Sequence, residues 1–147
     1  APWTSALRKS QVSTPIENVM RSGPVIPVLS IADPDSARAI AEALLEGGLN
    51  TVEVTLRTSS ALDVIAEMAR IQGLTVGAGT VLNERQLDES IQAGAKFIVS
   101  PGLSERLGVA AIARGVPFLQ VTSCAVWPWA WTASSSFRPR PPAGSGH

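Results

Sequence analysis

One cysteine, one histidine and two lysines are all that this 147-residue chain holds of the residue types that most often carry covalent or metal chemistry. Cys124, being alone, cannot close an internal disulfide; that excludes the disulfide-stapled scaffolds and fits a reducing compartment, so a cytoplasmic location is expected. His147 is terminal, and a metal centre needs several His, Asp or Glu donors converging, so no metal is expected. Net charge is lacking too: 12 Lys and Arg balance 12 Asp and Glu, which leaves no electrostatic footprint for nucleic acid or an anionic membrane. No apolar run reaches the roughly 20 residues that span a bilayer. Arg8, Lys9 and Gln11 break the basic-then-apolar order of a signal peptide. The length fits one domain with a fair core, since a chain of about 150 residues buries about two-thirds of its unfolded surface.

What is there is an alternation. Runs of β-branched and apolar residues at Val25–Ile31, Thr51–Leu56, Leu74–Ala78, Lys96–Ser100 and Val116–Val121 read as strands. Helical patterns lie between them, near Ser36–Leu45, Ala61–Arg70, Glu84–Ala93 and Glu105–Ala113. Asp33-Pro34 supplies an N-cap followed by a proline in the first turn, and Asn83 with Gln86 resembles a capping box. Gly47-Gly48, Gly94 and Gly115 stand where left-handed helix ends are wanted. Short apolar strands alternating with amphipathic helices predict an α/β fold with a parallel sheet and helices outside it. Periodicity alone does not separate a barrel from a doubly wound sheet.

In such folds the functional groups gather at the C-terminal ends of the strands. The second strand carries Glu53 among apolar neighbours and ends near Arg57. A carboxylate in a buried strand is costly unless it is paired, hydrogen-bonded or kept for chemistry; an ion pair or a solvated strand end is the plainer account. The third strand runs into Gly77-Ala78-Gly79-Thr80, a glycine pair that brings backbone close, followed by a hydroxyl. The fourth ends in Ser100-Pro101-Gly102, a turn able to narrow a pocket wall. A guanidinium that grips a carboxylate beside a glutamate that moves protons suits chemistry on a small keto acid. Gly-x-Gly by itself is a tight turn; without a further Gly or a Lys-Ser/Thr it is no nucleotide loop.

Taken in order, Gly23-Pro24-Val25-Ile26-Pro27-Val28, Glu53-Val54-Thr55-Leu56-Arg57-Thr58, Val76-Gly77-Ala78-Gly79-Thr80-Val81-Leu82 and Ile98-Val99-Ser100-Pro101-Gly102 resemble the successive strand motifs of the KDPG/KHG aldolases. These are the 2-keto-3-deoxy-6-phosphogluconate and 4-hydroxy-2-oxoglutarate aldolases. The resemblance covers about Ile16 to Leu119. It implies a (β/α)8 TIM barrel, here about its first five βα units, and a cofactor-free class I lyase of carbohydrate metabolism that assembles as a homotrimer. Its partners would be small keto acids, pyruvate and a phosphorylated sugar acid. By the same resemblance Glu53 is the general acid/base at the pyruvyl carbon and the carbinolamine, Arg57 and Thr80 hold the carboxylate end, and Pro101 lines the pocket.

One departure bears on activity. A class I aldolase forms a Schiff base between a lysine and the substrate ketone, and the family places that lysine on the sixth strand. Lys9 and Lys96 are the only lysines here; Lys9 is in the N-terminal segment and Lys96 opens the fourth strand at its wrong end, so the Schiff-base lysine is absent. The segment from Thr122, with Trp127, Trp129 and Trp131, shows why. Tryptophan has a single codon, so the bases are largely fixed. Read one base earlier, Trp127 to Thr132 gives a pattern like the Met-Ala-Leu-Gly-Leu-Asp helix that precedes the lysine strand in the family. Residues 1–121 are therefore expected to be the aldolase part, and 122–147 out-of-frame and disordered. Two functions follow as expectations: an aldolase of this family, inactive as this chain, or a non-catalytic barrel fragment that binds keto acids weakly or associates with itself.

Overall fold

A strand buried on both faces must alternate with helices that cover it, and the computed structural model shows that alternation. It describes residues 15–23, 25–102 and 104–120. The assignments of 122–147 as an out-of-frame segment, and of Lys9, fall outside them. In chain order the elements are α1 (Pro15–Arg21), β1 (Val28–Leu29), a 3₁₀ turn (Pro34–Ser36), α2 (Ala37–Glu46), β2 (Thr51–Thr55), α3 (Ala61–Ala69), β3 (Thr75–Gly79), α4 (Glu84–Ala93), β4 (Phe97–Ser100), α5 (Glu105–Ala113) and β5 (Phe118–Gln120). The five strands form one sheet in the order β1-β2-β3-β4-β5, every pair parallel. Consecutive strands are always neighbours, as in a barrel wall, whereas a doubly wound sheet reverses direction at a switch point.

Register assigns the faces. Val52 and Val54 of β2 pair with Val76 and Ala78 of β3, and Ala78 pairs with Ile98 of β4. These side chains pack with Ala41 of α2, Val64, Ile65 and Met68 of α3, Leu87 of α4 and Leu107 of α5 in one buried cluster. The alternate positions, Thr51, Glu53, Thr55, Gly77, Gly79, Phe97 and Val99, therefore look to the other, concave face. Phe97 and Val99 are buried but stand outside the helix-side cluster, as that alternation requires. Phe118 packs against the helix-side core, while Val25 is exposed.

Helix ends are set by local chemistry. Asn83 caps α4 by accepting from the Gln86 amide at 2.9 Å, and the Gln86 side chain returns to the amide of Leu82 at 2.8 Å, one residue earlier than a capping box requires. Ser104 caps α5 by accepting from the Leu107 amide. Three helices close with the same pair of bonds: Gly48 N–H to Leu45 O and Leu49 N–H to Leu44 O after α2, Gly94 to Ile91 and Ala95 to Ser90 after α4, Gly115 to Ile112 and Val116 to Ala111 after α5. That is the Schellman arrangement, and Gly48, Gly94 and Gly115 all have positive φ. Gly47 does not: at φ −75° it is right-handed, and Gly48 alone makes the turn.

Two elements depart from the sequence reading. The first strand, expected over Val25–Ile31, is in the ladder only at Val28–Leu29. Pro27 has no amide to donate, so it contributes only its carbonyl, which accepts from Glu53 N–H at 2.9 Å. Helix α1 was not expected. Pro15 in its first turn, Glu17 near its positive end and Arg21 near its negative end all favour it, and Ile16, Val19 and Met20 form a short apolar stripe, though no residue of the helix is buried. Among the described residues no helix is long and apolar enough to cross a membrane.

Candidate functional site

Arg57 lies two residues beyond the end of β2, Thr80 directly follows β3, and Pro101 directly follows β4. All three are thus at the C-terminal rim of the sheet, with Glu53 on the concave face below them. The order along the rim is Arg57, Thr80, Pro101. Pro101 is two strands from Glu53 and exposed, the least engaged of the four.

Glu53 pairs in register with Val28 of β1 and Gly77 of β3. Its side chain leans along β3 toward the rim and lies on the backbone of Gly79: a Cβ built there would overlap a carboxylate oxygen and stand 2.7 Å from the carboxyl carbon. The carboxyl group is half-buried, and that desolvation pushes its pKa above the ordinary glutamate value, with the charge of Arg57 pulling the other way. Glu53 and Arg57 form no direct salt bridge; the pair of charges acts through space. Arg57 itself is exposed. Glu53 thus makes no direct ion pair with Arg57, and its carboxyl group is half-buried rather than fully solvated.

Thr80 carries a feature that no sequence pattern announced. Its φ is +62°, the one positive value outside glycine among the described residues. A β-branched residue in that region is strained by about 1–3 kcal/mol, and such strain gathers where a side chain or backbone group must be aimed. The residues around it are firmly tied: Leu56 N–H donates to Gly79 O at 2.8 Å, and Val81 N–H to Val99 O at 3.2 Å.

The segment bearing Arg57 is braced by three hydroxyls that sequence reading did not single out. Thr55 Oγ1 donates to Leu29 O at 3.1 Å, Thr58 Oγ1 to Ile31 O at 2.9 Å and Ser60 Oγ to Ala32 O at 2.6 Å. The first joins the ends of β2 and β1, and the other two span from the β2–α3 connection to the chain leaving β1. Their signal was available as a run of hydroxyls flanking Arg57, but only the fold shows the carbonyls they meet. After β4, Ser100 is fully buried and its Oγ donates to Gly102 O at 2.5 Å, which fixes the turn at Pro101.

Lys96 is exposed and precedes β4, at the N-terminal end of the sheet, opposite the rim. Among the described residues no three His, Cys, Asp or Glu side chains are grouped so as to hold a metal ion. A surface groove between α4 and α5, lined by Glu84, Arg106, Val109 and Arg114, is on the helical outside and shares no residue with the rim.

Comparison with known proteins places this geometry. Residues 16–125 match the family model described as KDPG and KHG aldolase. The 2-dehydro-3-deoxy-phosphogluconate aldolase of Zymomonas mobilis is 53% identical over 104 residues, covering 71% of this chain and 50% of that protein. The KHG/KDPG aldolase of Escherichia coli K12 is 44% identical over 107 residues, 72% of this chain and 50% of its own length. The chain thus spans about half the length of the curated relatives it matches. Among solved structures, the Zymomonas mobilis 2-keto-3-deoxy-6-phosphogluconate aldolase superposes with a TM-score of 0.73 at 51% identity, over 75% of this chain and 53% of that one. A KDPG aldolase from Legionella pneumophila, with pyruvate captured as a covalent carbinolamine, superposes with a TM-score of 0.69 at 35% identity, over 74% and 52%.

Proposed function

Because the chain belongs to the KDPG and KHG aldolase family, we propose that its rim is the keto-acid end of a class I aldolase site. The reaction of the whole site is cleavage of 2-keto-3-deoxy-6-phosphogluconate to pyruvate and glyceraldehyde 3-phosphate, in the cytoplasm. The observation that carries this reading is Glu53: a half-buried carboxyl group without a salt-bridge partner among the described residues, placed on Gly79 within the field of Arg57. A group that must take and return a proton near neutrality works best with a pKa raised toward the working pH, and burial supplies that shift. Arg57 offers a fixed cation to the substrate carboxylate, Thr80 a hydroxyl beside it, and Pro101 closes the side of the pocket. That the Legionella pneumophila relative holds pyruvate supports pyruvate as the ligand here.

The cleavage step needs an amine to turn the ketone into an electron sink. Among the described residues the one lysine, Lys96, is at the opposite end of the sheet, so these residues bind and position a keto acid without activating it. This chain is expected to bind pyruvate reversibly, to form no borohydride-trapped adduct with it, and to release no pyruvate from the phosphorylated sugar acid. Arg57→Ala should abolish the binding. A trapped adduct on Lys96, or pyruvate binding indifferent to Arg57→Ala, would overturn the assignment. The alternative, a fragment that chiefly associates with itself, draws on the exposure of Val25 and Val28 at the edge strand. Sedimentation distinguishes monomer, the family's homotrimer and open-ended association.

A further inference from the structure

Gly77 and Gly79 both lie on β3 and both face the concave side, yet neither has a positive φ. Backbone conformation therefore does not demand glycine at either position, and the reason must lie in what occupies the missing side chain's place. At Gly77 it is the ring of Phe97, reaching over from β4: a Cβ would overlap its Cε2 and Cζ, and Cδ2 would be 2.6 Å away. At Gly79 it is Glu53, reaching over from β2: Cδ and Cγ would be 2.7 Å and 2.9 Å away, and one carboxylate oxygen nearer still. Two neighbours thus lean onto the same strand from opposite sides, the apolar one deeper and the acidic one at the rim. The buried Phe97 ring has no room to give by small adjustments, whereas the group over Gly79 is the end of a flexible, half-buried side chain, which a methyl group would displace.

We propose that Gly79 is a positioning residue for Glu53, its missing side chain forming the seat that holds the carboxyl group against the sheet instead of in water. The inference rests on the reading of Glu53 as the proton carrier and adds to it the element that sets where that proton is held. Leu56 N–H bonded to Gly79 O keeps the end of β2 and the seat in fixed register, so the seat moves with the strand that carries Glu53. A methyl group at position 79 expels the carboxyl group toward solvent, where hydration restores its ordinary acidity. The burial that raises the Glu53 pKa is then a property of residue 79 as much as of residue 53.

The test follows the Glu53 carboxyl carbon by NMR across a pH titration of the full chain, with Glu53→Gln identifying the resonance. Gly79→Ala is expected to lower the Glu53 midpoint toward the ordinary glutamate value while the amide spectrum stays folded. An unchanged midpoint in a folded Gly79→Ala chain overturns the proposal. Should Gly79→Ala fail to fold, the double variant Glu53→Ala/Gly79→Ala decides the matter. Folding recovered by removing the glutamate supports the seat, and folding still lost refutes it. Pyruvate added to the unsubstituted chain separates the two readings: a Glu53 resonance that ignores pyruvate removes the proton-carrier role and leaves the seat standing.

Discussion

Replacing Gly94 by alanine tests how much of this fold rests on the close approach of α3 and α4. Gly94 ends α4 at φ +107° and ψ 12°, and a Cβ there would stand 2.8 Å from the Cβ of Ala69 on α3. Gly115 ends α5 in the same hydrogen-bonded arrangement at φ +64°, with nothing within 4 Å of its would-be Cβ. Left-handed backbone costs an L-residue about 1–2 kcal/mol, so Gly115→Ala should destabilise by about that much. Gly94→Ala carries the same strain, and in addition must push α3 outward; overpacking of a close interface costs about 1–3 kcal/mol. The expected total for Gly94→Ala is therefore about 2–5 kcal/mol. Ala69→Gly, which costs about 1 kcal/mol as a helix glycine, should recover the steric part when combined with Gly94→Ala. Urea unfolding followed by far-ultraviolet circular dichroism gives the four stabilities. Equal losses for Gly94→Ala and Gly115→Ala, or strict additivity of Ala69→Gly with Gly94→Ala, would refute the reasoning, because both would mean that the helices accommodate the methyl group freely.

Glu53→Gln is expected to be more stable than the unsubstituted chain at neutral pH. The folded pKa of Glu53 lies above the unfolded one, so the folded state binds the proton more tightly and stability falls as pH rises through the folded value; urea midpoints between about pH 4 and pH 7 should diverge in that direction. Thr80→Gly removes backbone strain of about 1–3 kcal/mol and adds unfolded-chain freedom worth about 0.5–1 kcal/mol, for a net gain of about 1 kcal/mol. It should at the same time weaken pyruvate binding, and a loss of stability in thermal melts would show that Thr80 is not strained. Ser104→Ala deletes the cap on the Leu107 amide and should cost about 1 kcal/mol in the same melts; no change would mean the start of α5 is held by its packing alone.

The parts of the fold that were legible in the sequence are those coded by neighbours in the chain. Helices α4 and α5 run over the expected Glu84–Ala93 and Glu105–Ala113 because Asn83, Ser104, Gly94 and Gly115 set their ends through bonds only a few residues long. Strand β1 was overestimated because an apolar run does not reveal how few of its amides find a partner, and Pro27 offers none. Helix α1 was not legible because it is only seven residues long, so the spacing of Ile16, Val19 and Met20 covers a single turn, and it buries none of them. At the rim, the residue types at Glu53, Arg57, Thr80 and Pro101 were readable, and so was the close backbone approach suggested by the glycines. The reason for each glycine was not. Phe97 and Glu53 are separated from Gly77 and Gly79 by a whole βα unit, and only the register of β2, β3 and β4 brings them together. The positive φ of Thr80 was hidden for the same reason, since Thr is among the last residues that local preference would place there.

The hydroxyls of Thr55, Thr58 and Ser60 have a consequence for how the molecule comes apart. Strand β1 has a ladder of only two residues at the edge of the sheet, and on that footing it should be the first strand to fray. Three side-chain bonds tie its last residue and the chain leaving it to the end of β2 and the segment that carries Arg57. The edge and the segment that carries Arg57 are thus held together by side-chain bonds as well as by the short ladder. An opening that frees the carbonyls of Leu29, Ile31 and Ala32 also loosens the backbone on either side of Arg57, so amides around β1 and around Arg57 should exchange with solvent as one group. A keto acid gripped by that arginine would slow the exchange of a strand it never touches.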